Sequence, residues 1–342
     1  MEDRKKDHIE LAFNSQTLKQ TIDQRFNYEP ILHPHPDTGS GFEPFPFLGK
    51  MQKVPLWVSS MTGGTELART INKNLARVCA EFGIGMGLGS CRPLLDDDSH
   101  FAGFDVRKQL GDDLPFYANL GIAQVEKMMR DGDHAKITVL LDRLRADGLI
   151  IHVNPLQEWF QPEGDKLYDP PIDTIKRVLD RCDFPVVVKE VGQGMGPDSL
   201  RELMTLPLQA IEFGAYGGTN FAKAELSRSN ELKQQVLEPL AYVGHSAEEM
   251  TEMANRIVRE EKNVLCRELI ISGGIQSFLQ GYYLIRRSTL PAVYGQASSF
   301  LRFAKVSYDD LHKYVDYQVQ GLKLASAYLK IKDDQTKSDN EP

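Results

Sequence analysis

Eight short apolar runs recur along the chain, each closing on Gly, Ser, Asn or a charged residue, and they alternate with longer stretches of helical period. They are Leu56 to Ser60, Ile84 to Leu88, Phe116 to Asn119, Gly148 to Val153, Pro185 to Lys189, Ala210 to Phe213, Leu269 to Ser272 and Pro291 to Tyr294. None alternates polar with apolar residues, as a strand wetted on one face would. Continuous apolarity is what strands buried on both faces of a parallel sheet require. Pro185-Val186-Val187-Val188 is the plainest example. Between the runs, apolar residues return every three or four positions. Leu67, Ile71, Leu75, Val78 and Phe82 share one stripe, with Thr65 placed to cap its start, and Ile172, Ile175, Leu179 and Cys182 share another. Eight strand–helix units in about 280 residues match the count and size of an α/β (β/α)8 TIM barrel, which a doubly wound sheet with fewer strands would not require.

Residues 1–45 are polar and Pro-rich, including His33-Pro34-His35-Pro36, and read as an N-terminal arm with little structure of its own. The two histidines there fit a loop better than a metal site. The barrel is expected over 46–332, ending in a helix with Leu311, Val315, Val319, Leu322 and Leu329 on one face, and 333–342 form a polar, frayed tail.

With 342 residues, 41% apolar and 26% charged, the chain can bury a large core, and its 27 Gly and 18 Pro are too dispersed for a fibrous or disordered protein. Lys and Arg total 40 against 48 Asp and Glu, a formal charge of −8, which argues against a nucleic-acid partner. Any phosphate binding must therefore be local. Cys79, Cys91, Cys182 and Cys266 are far apart and form no Cys-x-x-Cys pair, so neither a zinc site nor a disulfide framework is suggested. No apolar run approaches the ~18 residues of a membrane helix, and the charged start lacks the apolar core of a signal peptide. These features predict a soluble protein of the cytoplasm with no membrane partner.

The strand ends, where such a barrel builds its active site, are unusually polar. In order they read Ser60-Met61-Thr62-Gly63-Gly64, Gly89-Ser90-Cys91-Arg92, Asn119-Leu120-Gly121 and His152-Val153-Asn154-Pro155-Leu156-Gln157-Glu158, then Lys189-Glu190, Gly217-Gly218-Thr219-Asn220, Ser272-Gly273-Gly274 and Gln296-Ala297-Ser298. Gly273-Gly274 before the seventh helix suits a phosphate cradle, since glycines let backbone N–H groups approach an anion and the helix dipole adds to them; with Gln296 to Ser298 it forms a two-loop phosphate site, against the plainer reading of a tight turn. Lys189 closes an otherwise apolar strand, so its ammonium must meet an anion in the mouth, either a ligand or a carboxylate such as Glu190. Glu158 is a single carboxylate among neutral hydrogen-bonding groups, too few for a calcium cage but suited to magnesium completed by substrate phosphates. Asp96-Asp97-Asp98 reads as a solvated cluster, and Arg4 and Lys5, from charge alone, as a solvated end.

Taken together, Arg4-Lys5-x-x-His8, Met61-Thr62-Gly63-Gly64, the segment His152 to Glu158, Val188-Lys189-Glu190-Val191-Gly192 and Gly217-Gly218-Thr219-Asn220 resemble the type 2 isopentenyl-diphosphate isomerase family, in order from residue 4 to about residue 300. The resemblance implies an FMN-dependent barrel that interconverts isopentenyl and dimethylallyl diphosphate, with reduced flavin, NADPH or NADH as reductant, and Mg2+. It implies that Ser60, Met61, Thr62, Ser90, Asn119, Lys189 and Thr219 surround the flavin, that Gly274, Ile275, Gln276, Ala297 and Ser298 hold its phosphate, and that Lys189 stabilises the anionic reduced ring. Arg4, Lys5, His8, Arg92, His152 and Asn154 fall to the diphosphate of the prenyl substrate, the arm closing over the mouth. Gln157 is assigned to the substrate and Glu158 to magnesium. Gln157 and Glu225 assist a proton shuttle carried by the flavin. A homo-oligomer of closed symmetry is expected.

The chain departs from the family pattern between Ser277 and Pro291, which is bulkier, and at Gln193. Two alternatives remain in view. An FMN-dependent hydroxy-acid oxidoreductase needs a His base and an Arg, and the sixth-strand segment Ala215-Tyr216-Gly217-Gly218-Thr219 has neither. A non-catalytic flavin- or prenyl-diphosphate-binding protein would not need Arg4, Lys5, Gln157 and Glu158 intact.

Overall fold

All eight expected strands form in a computed structural model of the chain, which describes residues 11–37, 42–60 and 63–332. They are β1 (Leu56–Val58), β2 (Gly85–Gly87), β3 (Phe116–Gly121), β4 (Gly148–Val153), β5 (Val186–Glu190), β6 (Ala210–Glu212), β7 (Glu268–Ser272) and β8 (Ala292–Gln296). Each pairs in parallel with the next, and β8 returns to β1, which closes the barrel. Closure leaves no unpaired sheet edge, and helices cover the outside, so strands such as β5 are buried on both faces as their apolar runs require.

Side chains alternate along a strand, so every second residue faces the barrel interior. Trp57, Tyr117, Ile150, Val187, Ala210, Ile270 and Val293 meet there in one cluster with Phe47 and Leu48. The last two come from a hairpin, Phe45–Phe47 against Lys50–Gln52, whose turn holds Leu48 and Gly49 at φ 48° and 77°. That left-handed pair matches the twist of a two-residue hairpin. The Leu48 N–H donates to Glu268 Oε2 at 2.9 Å, at the first residue of β7, so the hairpin plugs the N-terminal end of the barrel. Burying Phe47 alone contributes roughly 2–3 kcal/mol.

Two residues further along, the same inward direction carries Ser59, Asn119, His152, Lys189, Glu212, Ser272 and Gly295. A polar ring thus sits on an apolar floor, at the end of the barrel opposite the plug.

Around the barrel, the helix Glu66–Phe82 starts where Thr65 Oγ1 accepts the Ala68 N–H at 3.1 Å. Ile71, Leu75 and Val78 are buried, but Leu67 is 62% exposed and Ala68 packs inward in its place. Two steps of four residues turn Leu67 about 80° away from Leu75, off the edge of the stripe. The divergent segment forms an ordinary barrel helix, Phe278–Arg287, with Tyr282, Tyr283 and Leu284 buried. The last helix is Tyr308–Tyr328, with Leu311, Val315, Val319 and Leu322 buried. Leu329 leaves that helix and enters the strand Leu329–Ile331, which pairs antiparallel with Phe26–Tyr28. Among the described residues, 11–36 with 324–332 form one compact unit and 37–323 another. In the first, the helical turn Lys19–Thr21 precedes the strand, and His35 Nδ1 lies 3.1 Å from the Tyr328 hydroxyl. Among the described residues, no helix is long and apolar enough to cross a membrane.

Candidate active site

Two adjoining cavities open between the strand-end loops. The larger, ≈440 Å³, is lined by Ser59, Ser60, Lys189, Glu212, the Gly217–Thr219 loop, Ser272 to Gln276 and Gln296 to Ser299. The smaller, ≈320 Å³, is lined by Asn154, Leu156, Gln157, Glu190, Met195 and His245 among others, and shares Val191, Gly192 and Phe221 with the first. A surface cavity elsewhere, ≈560 Å³, is lined by Arg92, Gln124, Asp165 and Tyr168.

Lys189 is buried, and its Nζ donates to the Glu190 backbone carbonyl at 2.6 Å. The Glu190 carboxylate is not its partner. One oxygen of that group accepts the N–H groups of Gly192, Gln193 and Gly194 at 2.6, 2.7 and 2.9 Å and so shapes the loop after β5. Burial pushes the Glu190 carboxyl up, against the pull of those three donors and of Lys189. Lys189 lines the larger cavity.

On β4, His152 Nδ1 lies 2.6 Å from Asn119 Oδ1. An amide oxygen only accepts, so Nδ1 carries the proton and Nε2 is a bare acceptor. Burial, and then the Lys189 charge, push the imidazole down to about 3. His152 is therefore a neutral hydrogen-bonding group and not an acid at ordinary pH. Gln124 and His152 both crowd Gly121, where an added Cβ would stand 2.3 Å from Gln124 Oε1 and 2.9 Å from His152 Nε2.

Asn154 begins the short helix Pro155–Phe160, with proline at its first position as the fixed φ favours. The buried Asn154 Nδ2 donates to Gln157 Oε1 and Glu158 Oε1, both at 3.1 Å, while its Oδ1 has no partner. Glu158 Oε2 accepts the Asp165 N–H at 2.8 Å, and Asp165 in turn pairs with Arg92 at 2.9 Å and accepts from Gln124. Asn154 thus orients both Gln157 and Glu158, and Asp165 ties Arg92 to the same loop. Among the described residues, no three His, Cys, Asp or Glu side chains gather as a metal cluster. In the Asp96–Asp98 run, Asp97 bonds Ser99 and Asp98 pairs with Arg143, as a surface cluster does.

Other expected residues are placed with mixed outcome. Thr219, Gly274, Ile275, Gln276, Ala297 and Ser298 line the larger cavity with Ser60. Gly273 has φ 90° and its Cβ would fall 2.1 Å from the Ala215 backbone, so only glycine serves there. Ser90 lines neither cavity; its Oγ accepts the Arg92 N–H at 3.4 Å. Glu225, on the helix Phe221–Leu226, also lines neither and pairs with Arg228 at 2.7 Å. Arg4, Lys5, His8, Met61 and Thr62 lie outside the described residues. Glu212, Ser59, Gln124 and Asp165 are functional candidates that the sequence pattern passed over. Glu212 alone left a signal, a carboxylate inside the apolar run of β6. The thiols of Cys79, Cys91 and Cys266 are buried and that of Cys182 half-buried, all free.

A protein of Rickettsia rickettsii (strain Sheila Smith) named isopentenyl-diphosphate delta-isomerase is 31% identical over 326 residues, covering 94% of this chain and 92% of its own length. The chain belongs to the isopentenyl-diphosphate delta-isomerase family. The protein of that name from Rickettsia prowazekii (strain Madrid E) is 30% identical over the same shares. No family model matches the chain. Among solved structures, a flavocytochrome b2 variant with sulfite bound is similar at TM-score 0.59 and 13% identity, over 93% of this chain and 79% of that one. A mandelate oxidase variant with a monooxide FMN adduct is similar at TM-score 0.53 and 12% identity, over 90% and 88%. Such distant likeness shows the barrel fold alone, whereas the isomerase relatives share sequence along nearly the whole chain.

Proposed function

We propose that this member of the isomerase family interconverts isopentenyl and dimethylallyl diphosphate, using FMN in the larger cavity, Mg2+ at Glu158 and NADPH or NADH to keep the flavin reduced. The reading is carried by the 31% identity over 94% of the chain. It is taken to work in the cytoplasm as a homo-oligomer.

The residues suit the flavin. The larger cavity has buried Ser59, Ser60 and Glu212 oxygens that are without partners among the described residues, and the buried Lys189, as a polar heterocycle needs, and it includes the glycine cradle suited to a phosphate. Glu158 is a single carboxylate whose two oxygens each take one donor, from Asn154 Nδ2 and the Asp165 N–H, so each keeps a lone pair for a magnesium ion, which would hold waters and diphosphate oxygens as its other ligands. When bound, reduced FMN supplies a ring that can exchange a proton with the substrate.

The chain's own groups do the rest. Lys189, which lines the larger cavity, would place a positive charge beside a bound ring and favour added electrons there. His152, neutral and fixed by Asn119, offers Nε2 as an acceptor and adds no competing charge. Asn154 Nδ2 donates to both Gln157 and Glu158, so the amide proposed for the substrate and the carboxylate proposed for the metal are coupled through one side chain. Glu225 can assist only after parting from Arg228. The hydroxy-acid oxidoreductase reading is disfavoured because Ala215 to Thr219 supplies no His or Arg.

The test is anaerobic incubation of the purified protein with isopentenyl diphosphate, FMN, NADPH and Mg2+, with NMR detection of dimethylallyl diphosphate and omission of each component in turn. Product only with reduced flavin and magnesium is expected. A flavin-loaded protein that forms none would leave a binding protein.

A further inference from the structure

The inward polar ring at the barrel mouth is largely satisfied by its own hydrogen bonds. Asn119 and His152 bond one another, and Ser272 Oγ accepts the Gly214 N–H at 3.0 Å. Ser59 Oγ and the Glu212 carboxylate are the exceptions among the described residues, and of the two Glu212 is the ionisable group. It is fully buried, it lines the larger cavity, and among the described residues neither of its carboxylate oxygens has a hydrogen-bond partner. Strand register sets it beside Lys189, yet the Lys189 ammonium bonds the Glu190 carbonyl, and among the described residues no ion pair joins the two side chains.

A buried carboxylate with bare oxygens is costly to the fold unless something brings it a donor. Neighbouring strands lie about 4.8 Å apart, so an anion and a cation in register can address adjacent atoms of one small ring. The ligand they fit presents a hydrogen-bond donor next to an acceptor along one edge, which is the imide edge of a pyrimidine-type heterocycle.

Resting on the FMN reading above, we propose that Glu212 accepts the ring imide N–H of the flavin while Lys189 faces the neighbouring carbonyl oxygen, and that the Glu212 charge tempers the reduction that Lys189 favours. The cation alone would bias the ring strongly toward its anionic reduced form. The anion beside it opposes that bias, so the ring keeps a proton available for exchange.

Three measurements on the full-length protein test this. The variant Glu212→Gln keeps shape and an acceptor but removes the charge. Without FMN, it is expected to melt at a higher temperature than wild type, because an unpaired buried charge is gone. A lower Tm would show that Glu212 supports the empty fold and would overturn the proposal. With FMN bound, Glu212→Gln is expected to shift the flavin equilibrium at least tenfold toward the reduced form, a rise of roughly 30 mV in the two-electron midpoint potential. The variant Glu212→Leu, which removes the acceptor, is expected to weaken FMN binding at least tenfold by fluorescence titration. Wild-type potential and wild-type affinity in both variants would refute the assignment while leaving the cofactor reading intact. Failure of wild type itself to bind FMN would overturn the cofactor reading and this one with it.

Discussion

Lowering the pH from 7 to 5 is expected to destabilise the protein through His152, and replacing that histidine by glutamine is expected to remove the effect. Burial, helped by the Lys189 ammonium, holds the imidazole at about 3, whereas an unfolded histidine titrates near 6.5. The folded pKa is depressed, so below 6.5 the unfolded chain takes up a proton that the folded chain refuses. Stability is therefore full above about 6.5 and is lost as the pH falls toward the folded value. Each pH unit in that window costs about 1.4 kcal/mol, which makes the loss at pH 5 about 2 kcal/mol. Glu190 and Glu268, whose carboxyls burial pushes up, act in the opposite sense, losing their contribution as the pH rises. Both are present in wild type and variant, so they cancel in the comparison. Urea unfolding at pH 7, 6 and 5 of wild type and His152→Gln gives the difference directly, and ring 15N shifts report the protonation state of His152 itself. Equal losses in the two proteins, or an imidazole that protonates near pH 6 in the folded state, would refute the reasoning.

Other outcomes follow from the same geometry. Lys189→Met should retain the fold but lower isomerase turnover roughly 10²–10³-fold, the size of losing one fixed charge in a dry site, measured with saturating FMN. Gly273→Ala, forced against the Ala215 backbone at a φ of 90°, should abolish FMN retention on a desalting column; retained flavin would place the phosphate elsewhere. Phe47→Ala should cost about 3–5 kcal/mol in urea unfolding, as for a large side chain removed from a core, and leave the FMN dissociation constant unchanged. Thr65→Ala should cost about 1 kcal/mol through the lost helix cap, and a change within error would mean that tertiary packing alone fixes that helix start.

The barrel was legible because its strands are buried on both faces. A run such as Pro185 to Lys189 admits few other structures, and the eight runs locate all eight strands to within a few residues. Periodicity misled where it was extended too far, at Leu67, which has drifted off its stripe, and at Leu329, whose backbone pairs as a strand after the helix has ended. The site was legible in its residue types but not in its pairings. Sequence cannot tell that the Glu190 carboxylate accepts from three loop N–H groups while Lys189 bonds the Glu190 backbone carbonyl and lines the cavity, nor that Arg228 engages Glu225. Glu212 sits inside the run Ala210 to Phe213, where sequence shows a lone carboxylate but not its surroundings, and only closure of the barrel shows that both of its oxygens are buried at the cavity without a partner among the described residues.

The hairpin built around Leu48 closes the N-terminal end of the barrel, so among the described residues the polar ring is reached from the side of the strand-end loops. Whatever lodges deepest must enter first and leave last, so exchange at the mouth is sequential rather than independent. A second molecule seated nearer the loops would hold in one that rests on the polar ring. Slow release of the inner occupant and fast turnover of the outer one can then coexist in a single channel, with no moving gate required.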